Sequence, residues 1–147
     1  MNDVLYYLDR VALTYRPRAI LIYEGDNDTG AGRPIPNELI LSQLREIIAK
    51  VHAALPATRI YVLSVKPSLL RWPVWSVAQA LNAGYRRIAD EDTLVYYVDV
   101  ATPLLNDDGS VKSDIFIDDG LHLNAAGNVI WGATIKAALM PVESQFE

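Results

Sequence analysis

Ala19-Ile20-Leu21-Ile22-Tyr23-Glu24-Gly25-Asp26-Asn27-Asp28 sets a short, uninterrupted apolar run directly against a polar turn. An apolar run without alternation reads as a strand buried on both faces, because successive side chains point to opposite sides of a sheet. Two more runs of this kind follow, at Arg59–Leu63 (RIYVL) and at Leu94–Val98 (LVYYV). Between them the apolar spacing changes to that of helices. Leu39, Ile40, Leu44, Ile47, Ile48 and Val51 form one stripe of a helix that Asn37 caps and that runs to about Leu55. Ser76 caps a further helix to about Asp90, and Asn124 caps a last one that ends before Pro141. A first helix, capped by Asn2 or Asp3, carries Val4, Leu5, Leu8, Val11 and Ala12 on one face and stops by Arg16-Pro17.

Strands alternating with helices of this length predict an α/β fold, a parallel sheet covered on both faces. Right-handed crossovers place the C-terminal ends of all strands on one edge, the edge where open α/β sheets bind ligands. The turn Gly25–Asp28, the loop Ser64–Ser68 and the long loop from Asp99 to Leu121 all leave from that edge.

The 147 residues fit one domain, 1–147, with enough chain to bury a core. A net charge of −5 argues against a nucleic-acid backbone as partner. No apolar stretch reaches the ~18 residues of a membrane span, and no charged-then-apolar start reads as a signal peptide. The absence of cysteine removes disulfides, thiolate nucleophiles and thiolate metal sites. Asp26 and Asp28, without a neighbouring His or Glu cluster, organise a turn rather than hold a metal, so neither metal nor cofactor is expected.

Asp119-Gly120-Leu121-His122 carries one of only two histidines; the other, His52, falls mid-helix as a solvated or packed residue. Asp119 can accept the Nδ1–H of His122, fix its tautomer and leave Nε2 as a general base. The alternatives are a turn-forming Asp119 and a loop-packing His122. Asn27, just past a strand, offers a neutral N–H donor for a developing oxyanion; alternatively it only closes an Asx-turn. Gly25 allows the chain to turn sharply there. Among the serines, Ser64 and Ser68 lie best placed for attack, with Lys66 between them as a possible activator, but a strand-end serine beside a lysine is usually a loop hydrogen-bonder. Trp72 and Trp75 are either an apolar or sugar-binding wall or simple packing.

The blocks Gly25-Asp26-Asn27-Asp28 and Asp119-Gly120-Leu121-His122, in this order, resemble two blocks of the SGNH (GDSL-type) hydrolases, a family of esterases and acylhydrolases, and Tyr61–Ser68 (YVLSVKPS) looks like the family too. The resemblance covers nearly the whole chain. It implies a flavodoxin-like three-layer αβα sandwich, Asn27 as an oxyanion-hole donor, Asp119 and His122 as triad members, and a small ester as substrate. The family's G-D-S block with its nucleophilic serine and its second block, an oxyanion-hole glycine, are not in the chain. The expectation is therefore an N-terminally truncated version with about three strands and four helices, whose strand 19–23 has an open edge. Such an edge is an association template, so a homodimer or higher homo-oligomer through that edge or the first helix is expected. Two functions stand side by side: a carboxyl-ester hydrolase that works with a retained Asp-His pair, and a catalytically impaired or split fragment acting as an oligomeric, non-enzymatic domain.

Overall fold

The computed structural model describes residues 1–30, 32 and 34–146. Helix α1 (Asn2–Val11) leads through a 3₁₀ turn to strand β1 (Ala19–Ile22) and a one-turn helix α2 (Asp26–Gly30). Helix α3 (Asn37–Ala54), strand β2 (Arg59–Leu63), helix α4 (Trp75–Asp90), strand β3 (Val95–Val98) and helix α5 (Ala125–Glu143) follow. The strands lie side by side in the order β1-β2-β3, all parallel, with Ala19 opposite Arg59 and Ile60 opposite Val95.

The pleat of β2 explains the layers. Ile60 and Val62 join Ile40, Leu44, Ile47, Val51, Leu81 and Tyr85 in the core shared with α1, α3 and α4. Tyr61 and Leu63 pack on the opposite face with Val98 and Val100, against Trp131, Ile135 and Leu139 of α5. Every residue of β2 is buried. Removing a Leu or Ile side chain of this kind from water contributes about 1.5–3 kcal/mol each. The result is the three-layer αβα arrangement.

Burial on both faces holds for β2 but not for β1. Leu21 is 43% exposed, because β1 is an edge strand paired on one side only. A groove of about 260 Å³ runs along it, lined by Val4, Leu8, Val11, Ala12, Ile20 and Leu21 among others.

Three helix starts and one helix end differ from expectation. Asn37 does not cap α3; Pro36 stands at the cap, and Asn37 Nδ2 instead donates to the carbonyl of Val77 at 3.0 Å, tying α3 to α4. Helix α4 starts one residue before Ser76, with Val74 at its cap, and Met1 rather than Asn2 or Asp3 precedes α1. Only Asn124 caps as expected, its Oδ1 accepting from the Gly127 N–H at 3.1 Å. Helix α5 continues through Pro141 to Glu143. The reason is tertiary: Glu143 is drawn onto the sheet. Its carboxylate accepts from Arg59 Nε at 2.6 Å, Arg59 Nη2 at 2.8 Å and the Tyr61 hydroxyl at 2.7 Å.

The hydrogen bonds from Arg59 hold the Glu143 carboxyl down at about 2, against the opposing effect of burial. A depressed folded-state value means stability that is present above the ordinary carboxylate range and lost as pH falls through about 2. Glu143→Gln is expected to cost about 3 kcal/mol at pH 7, because it leaves the buried Arg59 guanidinium without its ionic partner. Urea unfolding at pH 7 and pH 3 checks this: the variant's deficit should shrink at the lower pH.

Candidate functional site

The C-terminal ends of the strands deliver three loops to one rim. A cavity of about 210 Å³ opens there, lined by Tyr23, Glu24, Asp26, Asn27, Lys66, Arg71, Leu121 and His122.

The histidine side is built locally. Gly120 takes φ +64, which closes a turn between Ile117 and His122: the Gly120 N–H donates to the Ile117 carbonyl and the Ile117 N–H to the His122 carbonyl, both at 2.9 Å. Asp119 faces back into this turn. Its Oδ1 accepts from the N–H groups of Leu121 at 2.8 Å and His122 at 2.9 Å, while Oδ2 meets His122 Nδ1 at 2.5 Å. One side chain thus forms the turn and holds the imidazole, and the two readings of Asp119 coexist. The hydrogen bond from His122, reinforced by those backbone donors, keeps the Asp119 carboxyl ionised down to about 2. With Nδ1 engaged, Nε2 is the ring nitrogen without a protein partner among the described residues. The His122 side chain is 71% exposed.

The opposite side is held by long-range contacts. Gly25 has φ +101, and the chain turns there into α2, which places Asp26 and Asn27 in its first turn. Sequence reading expected only a turn at this point. Asn27 closes no Asx-turn among the described residues; its Oδ1 accepts from Arg71 Nη2 at 2.8 Å. Asp26 receives the Tyr23 hydroxyl at 2.8 Å, Lys66 Nζ at 3.4 Å and Arg71 Nη1. Burial, with Asp26 beside it, pushes the Tyr23 hydroxyl well above the ordinary tyrosine range.

Lys66 is 8% exposed and spans the cavity, donating to the Leu121 carbonyl at 2.8 Å, so it links the Asn27 turn to the His122 loop. Burial lowers its pKa, opposed by Asp26. Its loop is fixed by the buried Asn82, which accepts from the Val65 N–H at 2.7 Å and donates to the Val65 carbonyl at 2.9 Å. Sequence reading missed Arg71 and placed Lys66 beside serines. The available signal was charge: two basic residues on the loop after β2 facing an acidic turn after β1.

Ser64 does not reach this cavity. It is fully buried, and its Oγ accepts from the N–H groups of Val100 and Ala101, each at 3.0 Å, tying the end of β2 to the segment after β3. Ser68 is 1% exposed and accepts from the Arg71 N–H. Among the described residues neither hydrogen-bonds to Lys66, whose Nζ turns to Asp26 and Leu121. His52 uses both ring nitrogens structurally, Nε2 with the Thr58 carbonyl at 3.1 Å and Nδ1 near Asp92 at 3.3 Å. Trp72 and Trp75 stack with ring centres 6.3 Å apart, outside the cavity lining. Among the described residues, no helix is long and apolar enough to cross a membrane.

The three-layer αβα sheet sets this cavity at the C-terminal edge of its parallel strands, the edge where open α/β sheets bind ligands. The model of the GDSL-like lipase/acylhydrolase family matches residues 2–130, and the chain belongs to that family. Similar solved structures include a protein from Streptococcus pneumonia named after platelet activating factor, 28% identical over 81% of this chain and 58% of its own, with a TM-score of 0.72. A GDSL-like lipase from Bacteroides thetaiotaomicron is 18% identical, covers 95% of this chain and 70% of its own, and has a TM-score of 0.80. A family 3 carbohydrate esterase from Clostridium thermocellum is 18% identical over 98% of this chain and 66% of its own, with a TM-score of 0.75. The chain thus spans between 58% and 70% of the length of these three structures. No curated protein matches it.

Proposed function

We propose that this chain is a carboxyl-ester hydrolase for short acyl esters, with Asp119 and His122 as its acid–base pair and Asn27 as its oxyanion donor. The observation that carries this reading is the 2.5 Å contact between His122 Nδ1 and Asp119 Oδ2, with His122 and Asn27 lining one cavity. No serine is among the described lining residues, so within this chain the attacking group is water. His122 Nε2 takes a proton from the water as its oxygen bonds to the ester carbonyl carbon. The charge that moves to the carbonyl oxygen is met by the Asn27 amide. Collapse breaks the bond to the alkoxide, which leaves with the proton from Nε2. Serine hydrolases stripped of their triads keep roughly 10³- to 10⁴-fold acceleration over water from the oxyanion hole and binding alone, which sets a floor for a site that also keeps its acid–base pair.

Hydrolysis of a short-chain nitrophenyl ester by the pure protein, beside Ser64→Ala, tests the reading. The wild type should exceed background. Ser64→Ala should lose about 1 kcal/mol of stability, since the Val100 and Ala101 N–H groups each lose one of two acceptors and keep the Val98 carbonyl and Asp99 Oδ1, yet keep its rate per folded molecule. A rate lost in Ser64→Ala would make that serine the nucleophile instead.

A second reading is favoured by the open edge of β1. In it the chain is an impaired or split fragment that associates, and another chain supplies the nucleophile or none does. Pairing of two copies through the β1 edge would cover Leu21 and the groove beside it. Sedimentation should then give a dimer. A monomer whose β1 amides are protected from hydrogen exchange would rule the pairing out.

A further inference from the structure

We propose that Arg71 is the positioning residue of the site, orienting the Asn27 amide so that its NH₂ group, and not its oxygen, is presented to substrate. The proposal rests on the esterase reading for the role of Asn27.

An amide side chain can present either end, and one end would repel an oxyanion. Here the choice is made by the neighbour. The Arg71 guanidinium spans two consecutive side chains of α2: Nη1 donates to Asp26 Oδ1, and Nη2 donates to Asn27 Oδ1 at 2.8 Å. With its oxygen turned to Arg71, the amide has its NH₂ end left for the cavity, where its two hydrogens are donors. The fork is itself held. The Arg71 side chain is 15% exposed, its N–H donates to Ser68 Oγ at 3.2 Å, and its carbonyl accepts from the Val74 N–H at 3.0 Å. Asp26 is fixed in turn by the Tyr23 hydroxyl and by Lys66. A planar fork that reaches two acceptors at once is a geometry lysine does not offer.

Gly30 supplies an independent observation. A Cβ built on Gly30 would overlap Cδ and Nε of Arg71, so the absence of a side chain at the end of α2 is what lets the arginine stem pass. Because the obstacle is a flexible side chain, Gly30→Ala would displace the guanidinium while leaving Arg71 in the sequence.

The test combines rates and spectra. Arg71→Met should lower kcat for a nitrophenyl ester by about tenfold with a smaller change in KM, within the ~10²- to 10³-fold cost of losing an oxyanion donor outright. Arg71→Lys should recover little of it, and Gly30→Ala should lower kcat in the same direction. In an Asn27→Ala background, Arg71→Met should add no further loss, the signature of one residue acting through another. The Asn27 side-chain NH₂ signals in ¹⁵N spectra should move in Arg71→Met and in Gly30→Ala, while the His122 ring signals stay in place. Additive losses in the double variant, or unmoved Asn27 signals, would overturn the proposal. If the wild type hydrolyses no ester while the Asn27 signals move, the esterase reading and the oxyanion role fall, and the Arg71–Asn27 clamp remains as structure alone.

Discussion

His122→Ala is expected to lower ester hydrolysis by about 10²- to 10⁴-fold, toward the rate that the Asn27 donor and binding sustain without it. In the proposed reaction every proton passes through Nε2: it leaves water when the carbonyl is attacked and reaches the alkoxide when the intermediate collapses. That loss is the usual worth of a general acid–base group. Asp119→Asn should cost about 10²-fold. An amide at that position can present its NH₂ to Nδ1 and favour the wrong tautomer, and it no longer stabilises the imidazolium. The effect should sit at the low end of the range seen for buried aspartates, because the Asp119 side chain is 41% exposed and water shares its charge. The pH profile separates the two groups. Asp119 is held ionised down to about 2 by His122, so it should add no inflection between about pH 4 and pH 9. The stability it contributes is present above its ordinary value of 3.8 and is lost only as pH falls through about 2. An Asp119→Asn variant with full activity would remove Asp119 from the mechanism; an acidic inflection that disappears with it would show instead that the carboxyl is not held down to about 2.

Gly25→Ala is expected to be the most damaging single substitution at the site, costing about 3 kcal/mol of stability. Two penalties add. At φ +101 an L side chain is strained, at about 1–3 kcal/mol. The new Cβ would also lie 2.7 Å from the Tyr85 hydroxyl oxygen, 2.8 Å from Leu81 Cδ2 and 3.0 Å from Val65 Cγ2. Leu81 and Tyr85 are fully buried and Val65 is 1% exposed, so none of them can swing away, and overpacking of this kind costs about 1–3 kcal/mol more. Gly109→Ala is the internal control. Gly109 also has positive φ, +83, but a Cβ there meets nothing within 4 Å. Its cost should be that of strain alone, about 1 kcal/mol. Urea midpoints for the two variants make the comparison. Equal losses would mean that packing behind Gly25 contributes nothing. In whatever fraction of Gly25→Ala folds, Asp26 and Asn27 should be displaced and ester hydrolysis should fall with them.

Much of this molecule was legible before folding. The runs at Ala19–Tyr23, Arg59–Leu63 and Leu94–Val98 mark the three strands to within a residue because both faces of the sheet are packed by helices, fully at β2 and partly at β1 and β3. The stripe from Ile40 to Val51 marks α3 for the corresponding reason at helical period. Caps were less legible. Asn37 and Ser76 have the right residue type, but the caps depend on backbone geometry of the preceding loops, and Asn37 is used to bind Val77 instead. Pro141 would end a free helix, whereas Arg59 and Tyr61 hold Glu143 and carry α5 past it.

The sequence by itself determined whatever depends on neighbours in the chain. That includes the parallel α/β order, the sharp turn at Gly25, and the contact between Asp119 and His122, which a three-residue spacing and Gly120 bring about locally. Tertiary structure alone decided what depends on residues far apart. It buried Ser64 under Val100 and Ala101, and it brought Lys66 and Arg71 from the loop after β2 onto Asp26 and Asn27 after β1. It also put β2 in the middle and left β1 and β3 with one strand neighbour each among the described residues, since only the order of strands in the sheet determines which strands lie at its edges. Local geometry is written in adjacent residues through φ, ψ and side-chain reach. A hydrogen bond between residues some forty positions apart exists only once the sheet has set their loops side by side.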